Sequence, residues 1–443
     1  MSAGPSFRKI LIALCLLGMM AALPAREWAD SSGRKLEGEI LGVERGCAVV
    51  LRPTKQRANL PLDKLSAADQ AWVKEWAEGM TPAQQLPTPL WPATVQQPEI
   101  KLTGGASSKG GFEFHSPHYE FDCDAEVSAS VMTDFATVAE GTLRLLYSLP
   151  IQFAPLEGKT FYARICQTRA SYEKGGGVAG SAGVFITGSM SGEGVLLVPF
   201  ESLGIEQFNG HNTKSYDYNA TVLTHEMTHQ ATAELLPLMP KWVAEGLAEY
   251  VGRMTYRSGT FYLGPRDRIQ MLRQRLDMYD AMTRQQQERV MASPSSRVPT
   301  ESGSRTATLP ESWIMRPSEL VQMNEDAWAT NVGGRAAMIR IHRMYLSSMF
   351  LMHYFLHMAD NGDARRVRLY FEELNRDAKW FKQLGHKRDT SEPAPAYLTR
   401  RMSLEDIRAH YTGNLFSKND LKALDADFHA QYIALGFHLP EWK

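Results

Sequence analysis

The chain has 443 residues, 44% of them hydrophobic, which is enough for two or three domains with a sizeable core. Its 48 lysines and arginines nearly balance 49 aspartates and glutamates, so the formal net charge is -1. Because the chain has no run of basic residues, it has no electrostatic footprint for nucleic acid or for a polybasic membrane role.

The first 25 residues have the pattern of a secretory signal peptide. Arg8 and Lys9 precede the apolar stretch 10–22, and small residues follow it, which predicts cleavage after Ala25. An uncleaved membrane anchor is the alternative, but the apolar run is shorter than the ~20 residues that a span needs. We therefore expect an exported protein, periplasmic or extracellular, with no transmembrane segment in the mature chain.

Residues 26–78 are predicted to form a small domain of their own. Three short stretches have the apolar pattern of strands: 35–41, 47–52 and 58–62. Ser66 stands at the N-cap position of a short helix that ends near Trp76. This pattern is typical of a small barrel of short strands.

Two motifs mark the ends of this region. They are Arg26-Glu-Trp-Ala-Asp-Ser-Ser-Gly-Arg-Lys35 and Leu60-Pro-Leu-Asp-Lys-Leu-Ser-Ala-Ala-Asp69. Both resemble the SHD1 domain, which implies an SH3-like barrel. Eukaryotic relatives of that domain bind short peptides, so the resemblance implies a peptide ligand; a barrel that serves only as a spacer is the alternative.

The rest of the chain is predicted to be a linker and one larger domain. Residues 79–115 are rich in Pro, Gln and Gly without a sustained apolar period, which indicates a linker. The domain 116–443 begins with strands and one helix, at 118–121, 129–149, 160–166, 183–186 and 195–198. After Thr221 the period is helical, and residues 283–312 are predicted to be a flexible insertion.

Three cysteines remain after removal of the signal, which is an odd number for an oxidising compartment. Cys123 and Cys166 could form a disulfide, or they could be buried thiols like Cys47. Their spacing leaves both interpretations open.

The segment Thr224-His-Glu-Met-Thr-His229 contains the pattern HExxH. Because residues four apart lie on one face of a helix, His225 and His229 can direct their imidazoles at one metal ion. Glu226 is turned away from that ion but can reach a water bound to it, as a general base requires. The pattern is short and occurs by chance in unrelated helices, so it needs further support.

The segment Trp242-Val-Ala-Glu-Gly-Leu-Ala-Glu-Tyr250 supplies that support. A catalytic zinc has three protein ligands and an open fourth position. Glu245 lies far enough beyond His229 for the chain to turn and return as a second helix, so its carboxylate can be the third ligand. Glu249 follows one helical turn later and is placed to hydrogen-bond a ligand histidine. A solvent-facing carboxylate is the alternative for Glu249.

These two segments resemble the gluzincin metallopeptidases, and most closely the peptidase-MA-like group of exported bacterial proteins, distant relatives of aminopeptidase N. The resemblance covers roughly residues 116–443 and is strongest over 221–250. It implies a zincin-like domain with a small sheet, the HExxH helix and a helical C-terminal lobe. It also implies a peptide or protein substrate and one Zn²⁺ per chain with three ligands: His225, His229 and Glu245.

The segment Tyr345-Leu-Ser-Ser-Met-Phe-Leu-Met-His-Tyr-Phe-Leu356 resembles a helix of aminopeptidase-N-type folds whose first Tyr stabilises the oxyanion. The resemblance implies that role for Tyr345, and a packed core Tyr is the alternative. The Gly-Ala-Met-Glu-Asn exopeptidase signature is absent upstream of His225, so amino-terminal trimming is not supported. Either 183–186 or 194–198 could be an edge strand for an extended substrate, or plain core sheet.

The sequence therefore predicts an α+β protein that hydrolyses peptide bonds with zinc-activated water. One rival is a non-catalytic cell-envelope interaction protein with a peptide-binding SHD1-like module and a decayed zincin fold. Another is a zinc hydrolase that acts on a non-peptide amide.

His353 and His357 lie four apart on an apolar helix without a neighbouring acid, so packed core or surface histidines are the better interpretation there.

Overall fold

The structure is a computed structural model in which residues 25–442 are described, apart from 45, 55, 79, 81–84, 88–90, 109, 152, 154–157, 187–193, 209–210, 215–219, 293–311, 329–334, 360–361, 363, 386–403, 414 and 417–420. Residues 1–24 of the predicted signal peptide and 293–311 of the predicted insertion lie outside the described residues. Helices and strands are mixed, which confirms the α+β class. The chain divides into two compact units, 1–88 and 89–443.

The first unit is an antiparallel sheet with one helix. The strands pair in chain order: β1 (Arg26–Ala29), β2 (Lys35–Glu44), β3 (Cys47–Leu51) and β4 (Arg57–Pro61). Helix α1 (Ala67–Ala77) follows, and the Ser66 side chain accepts from the Asp69 amide, which confirms the predicted cap. Strand pairing does not join β1 to β4 in the described residues, so the closed form of the predicted barrel is not observed.

The two motifs at the ends of this unit meet in space. Asp69 is buried, pairs with the Arg26 guanidinium and accepts a 2.8 Å hydrogen bond from the Ala29 amide. A small apolar core lies between the sheet and α1: Trp28, Ile40, Ala48, Val50, Leu65 and Val73. Since a buried carboxylate needs partners, Asp69 joins α1 to β1 at both its oxygens.

The second unit is built on a six-stranded mixed sheet. Its spatial order is β10 (Val184–Ile186), β11 (Val195–Pro199), β9 (Phe161–Cys166), β8 (Tyr119–Cys123), β7 (Phe112–His115) and β6 (Thr103–Ala106). Strand β9 runs parallel to β8 and β11, and the other neighbours are antiparallel. The predicted hairpin of 183–186 with 195–198 is confirmed by the pairing of β10 with β11.

The prediction of a linker over 79–115 is wrong for residues 94–115. Strands β6 and β7 belong to the six-stranded sheet. Strand β5 (Thr94–Gln96) pairs with β15 (Thr260–Tyr262), which pairs with β14 (Thr255–Arg257). Strands of three or four residues contain too few alternations to show a pattern, and β5 has its partner far along the chain.

Helices cover the sheet and then form a lobe of their own. They are α2 (Ala129–Ser148), α3 (Arg169–Lys174), α4 (Thr221–Ala231), α5 (Lys241–Gly252), α6 (Pro265–Ala292), α7 (Pro317–Val321), α8 (Glu325–Trp328), α9 (Arg335–His357), α10 (Arg365–Gly385), α11 (Leu404–Thr412) and α12 (Leu421–Ala434), with a hairpin of β12 (Ile205–Phe208) and β13 (His211–Lys214) before α4. Helix α6 extends to Ala292, so residues 283–292 of the predicted insertion are helical. No helix in the described ranges is both long and apolar enough to span a membrane.

The cysteines are independent thiols. Cys123 is paired in the sheet with Ile165, so Cys166 lies one residue further along β9. Since successive side chains of a strand point to opposite faces, the two thiols lie on opposite sides of the sheet. Both thiols are buried and free. Cys47 is half-buried and is also free.

Candidate metal centre

Helix α4 has two faces with different chemistry. Leu223 and Met227, four residues apart, are buried in the apolar core of the six-stranded sheet. His225 and His229 are also four apart and lie on the other side of the helix, towards α5. The amphipathic pattern of α4 therefore aims both imidazoles away from the sheet.

The chain reverses between the two histidines and the expected third ligand. A short 3-10 turn, Leu236–Leu238, follows α4, and α5 begins after Pro240. Helix α5 then runs back against α4 and brings Glu245 opposite the histidine pair.

The three ligand atoms form a nearly equilateral triangle. Nε2 of His225 lies 3.2 Å from Nε2 of His229, and Oε2 of Glu245 lies 3.4 Å and 3.3 Å from these two nitrogens. A tetrahedral cation with bonds of about 2.0–2.1 Å keeps its ligand atoms about 3.3 Å apart. The spacing fits such an ion, and this group could hold a metal.

The Glu245 carboxylate is buried without a full set of partners. It is 8% exposed, and its Oε2 atom receives no well-directed hydrogen bond from the described residues. A buried carboxylate oxygen left in this way is costly unless a positive charge lies beside it. Burial by itself raises the pKa of Glu245, but the charge of His229 and the contact with His225 outweigh it and lower that pKa.

The histidines lower the pKa of Glu245, whereas neighbouring carboxylates raise the pKa of His225. Burial by itself lowers the pKa of His225, but contacts with Glu245 and Glu249 and the charge of Glu226 raise it to about 10. The cluster is therefore a strongly negative environment that favours a cation.

Glu249 lies behind His225 and is not solvent-facing. It is 6% exposed, and its Oε1 atom is 3.3 Å from Nδ1 of His225. Burial raises its pKa, but the hydrogen bond and charge of His225, with Arg253 and Arg275, lower it to about 2. An ionised Glu249 accepts the Nδ1 proton of His225 and leaves Nε2 facing the triangle.

Glu226 lies at the boundary between α4 and the edge of the sheet. It is half-buried, and a Cβ atom on Gly183 would be 3.2 Å from its Cγ. Gly183 leads directly into β10, which pairs on one side only within the described residues, whereas β11 lies inside the sheet. Of the two candidate edge strands, 183–186 is therefore the one at the edge.

Tyr345 is brought to the same place by α9. Its ring stacks on the His225 ring with centroids 6.0 Å apart and planes 17° apart. Burial, followed by the charges of Glu245, Glu226 and Glu249, raises the pKa of Tyr345 well above its usual range. The phenol therefore stays protonated and remains a hydrogen-bond donor.

Comparisons with protein-family models, curated proteins and solved structures give no match. The function of the chain is therefore inferred from its residues and their geometry.

Two arginines of the site were not predicted from the sequence. Nε of Arg253 lies 3.3 Å and a terminal nitrogen of Arg275 lies 3.6 Å from Oε2 of Glu249. Arg253 follows Glu249 by four residues, so its helical spacing could have indicated the pair. Arg275 belongs to α6, and no local pattern connects it to this carboxylate.

Proposed function

We propose that this chain is an exported, zinc-dependent metallopeptidase of the gluzincin type. One zinc ion would be held by His225, His229 and Glu245. The observation that carries the proposal is the triangle of their ligand atoms, with sides of 3.2, 3.3 and 3.4 Å, because these match the spacing around tetrahedral zinc. Two imidazoles and one carboxylate are also a ligand set of catalytic zinc in peptidases.

Each remaining side chain has a role in hydrolysis. Zinc, when bound, supplies a water of lowered pKa and polarises a carbonyl group. Glu226 takes the proton of the attacking water and passes it to the leaving amine. Tyr345 donates a hydrogen bond to the carbonyl oxygen as negative charge develops there. The pKa of its phenol supports this role because the proton is retained.

The edge strand favours a peptide over another amide. Strand β10 has one side unpaired in the described residues and begins beside Glu226. The backbone N–H and C=O groups of an edge strand can pair with an extended chain, which holds a peptide bond in a defined direction. The expected reaction is cleavage of an extended segment, with no support for amino-terminal trimming.

We further propose that the first unit has an SHD1-like, SH3-related fold that binds peptides, and that the second unit is a zincin domain. A non-catalytic envelope protein with a decayed site is the rival. A decayed site has no chemical requirement for a general base and a phenol beside a complete set of three ligands. The position of Glu226 next to His225 on α4, and the stacking of Tyr345 from α9 on the same histidine, therefore favour an enzyme.

The decisive experiment combines metal analysis with substitution of the general base. The wild-type chain, Glu226→Gln and the control Glu120→Gln, which alters an exposed carboxylate on β8, are purified and incubated with denatured casein. We expect about one zinc per chain in all three and loss of casein hydrolysis in Glu226→Gln alone. A wild type that binds no zinc after reconstitution overturns the proposal. A zinc-loaded wild type that cleaves no protein favours a non-peptide amide or the non-catalytic rival.

A further inference from the structure

The Glu249 carboxylate is held from two sides. Its Oε1 atom faces Nδ1 of His225 at 3.3 Å, while its Oε2 atom contacts Arg253 at 3.3 Å and Arg275 at 3.6 Å. The arginines therefore occupy one oxygen and leave the other for the histidine. Arg253 comes from the end of α5 and Arg275 from the separate helix α6.

The ion pair of Arg275 with Glu249 is buried, so its formation carries a large desolvation free energy. The two side chains are 14% and 7% exposed. Removing both charges from water costs several kcal/mol per ion, and such pairs often add nothing to stability relative to apolar replacements. A contribution to folding is therefore a weak explanation for this guanidinium, and a contribution to the geometry of the site is a better one.

We propose that Arg275 is a positioning residue of the metal centre. It holds the Glu249 carboxylate in the orientation in which Oε1 accepts the Nδ1 proton of His225, and this directs Nε2 of His225 into the ligand triangle. Arg253 assists from the same side. This inference rests on the proposed zinc site, and it concerns a residue beyond the ligands and their direct partner.

The same guanidinium also connects the metal ligands to the helix of Tyr345. Arg275 lies over the ring of Tyr279, 4.7 Å from its centroid. The Tyr279 ring is 5.6 Å from the ring of His342, which lies one helical turn before Tyr345 on α9. Arg275 thus contacts both the carboxylate behind His225 and an aromatic ring that packs against the helix of Tyr345.

A charge-conserving substitution separates geometry from charge. A neutral replacement of Arg275 would also remove a cation that repels bound zinc, which is an effect of opposite sign to the loss of positioning. Lysine keeps the charge but cannot reproduce the planar fork or the stacking on Tyr279. Arg275→Lys is therefore the variant of choice. Arg266→Lys is the matched control, because Arg266 is an exposed residue of the same helix.

The zinc dissociation constant is measured by competition with a fluorescent zinc chelator, after circular dichroism has shown that each variant is folded. We expect Arg275→Lys to bind zinc about tenfold more weakly than the wild type, at the lower end of the range for partners of metal ligands. The visible absorption of the cobalt(II)-loaded variant should also change, since the ligand field follows the orientation of His225. Arg266→Lys should leave both quantities unchanged.

A double-mutant cycle with Glu249→Gln tests the route of the effect. Because Glu249 transmits it, Arg275→Lys should cause little further loss of zinc affinity in the Glu249→Gln background. Equal losses in both backgrounds, or no loss in the wild-type background, would overturn the inference while the zinc site stands. A wild type without zinc would remove the proposed function itself. Arg253→Lys alters the other partner of Oε2, and it serves in place of Arg275→Lys if that variant does not fold.

Discussion

A Cβ atom at Gly246 would lie 2.5 Å from the carbonyl oxygen of Ser348. Helices α5 and α9 therefore approach through their backbones at the residue that follows Glu245. Ser348 is three residues beyond Tyr345, so this close approach brings the predicted zinc ligand and the predicted oxyanion donor together. The glycine of the Trp-x-x-Glu-Gly motif is thus required for the close packing of two helices, which its sequence context does not reveal.

Gly246→Ala should force α5 and α9 apart, because no real Cβ tolerates a backbone oxygen at that distance. Overpacking of this kind costs about 1–3 kcal/mol of unfolding free energy, and turnover should fall as Tyr345 moves from His225. Urea unfolding and casein hydrolysis measure the two effects. Gly105→Ala is the control, since a Cβ there meets nothing within 4 Å. Similar effects of both substitutions would contradict this explanation.

Tyr345→Phe should lower kcat by about 10²–10³-fold, which is the usual effect of removing one donor to a developing oxyanion. Zinc content should stay at the wild-type value, because the phenol is not one of the three ligands. The control Tyr162→Phe removes the hydroxyl of a half-buried tyrosine on β9. An unchanged kcat would assign Tyr345 to core packing alone.

Removal of zinc should destabilise the protein, because an ion that binds only the folded state adds its binding free energy to the stability of that state. Zinc at a thousand times its dissociation constant contributes about 4 kcal/mol. A chelator should therefore lower Tm, and added zinc should restore it. Glu245→Gln should show almost no response to either reagent. A wild-type response in that variant would place the stabilising zinc elsewhere.

Two buried histidines should make the fold sensitive to acid. Burial, followed by the charge of Arg268, lowers the pKa of His353 to about 3. Burial, followed by the charges of His353 and Arg268, lowers the pKa of His357 well below its usual range. In the unfolded chain both histidines titrate at about 6.5. The unfolded state therefore binds more protons below this pH, and stability falls as the pH decreases from about 6.5 towards 3.

Each of these buried histidines has a tyrosine hydroxyl within hydrogen-bond distance of one ring nitrogen. Tyr432 donates to the Phe350 carbonyl at 2.8 Å and lies 3.0 Å from Nδ1 of His353, while Tyr250 lies 2.6 Å from Nε2 of His357. Each histidine can contribute a slope of up to about 1.4 kcal/mol per pH unit. Urea unfolding of the chelated protein between pH 7 and pH 5 should show a smaller loss for His357→Gln than for the wild type. Equal slopes would mean that His357 titrates normally.

Deletion of 26–78 tests the first unit, which is compact in itself. If its SHD1-like fold recruits substrates, the shortened chain should have a raised KM for casein and an unchanged kcat/KM for short peptides. Parallel kinetics with both substrates measure this difference. An unaltered substrate profile would favour the spacer role.

Several features could be predicted from the sequence because they depend on interactions between residues close together in the chain. The spacing of His225 and His229 follows from the period of an α-helix, and the predicted cap at Ser66 follows from the orphan amides of a helix start. Apolar alternation located the longer strands and the hairpin of β10 with β11. These patterns depend only on residues within one helix, strand or hairpin, so they can be recognised without knowledge of the tertiary structure.

Contacts between distant segments were decided only by the tertiary structure. The placement of Arg275 behind Glu249, the stacking of Tyr345 on His225 and the membership of 94–115 in two sheets all join residues far apart in the chain. None of them repeats with a helical or strand period, so no local pattern indicates them. The sequence by itself indicated which groups could hold the proposed zinc ion and which could take a proton from water. The packing of α5 against α4 and α9 decided where those groups meet, because only the folded core sets the distance between helices.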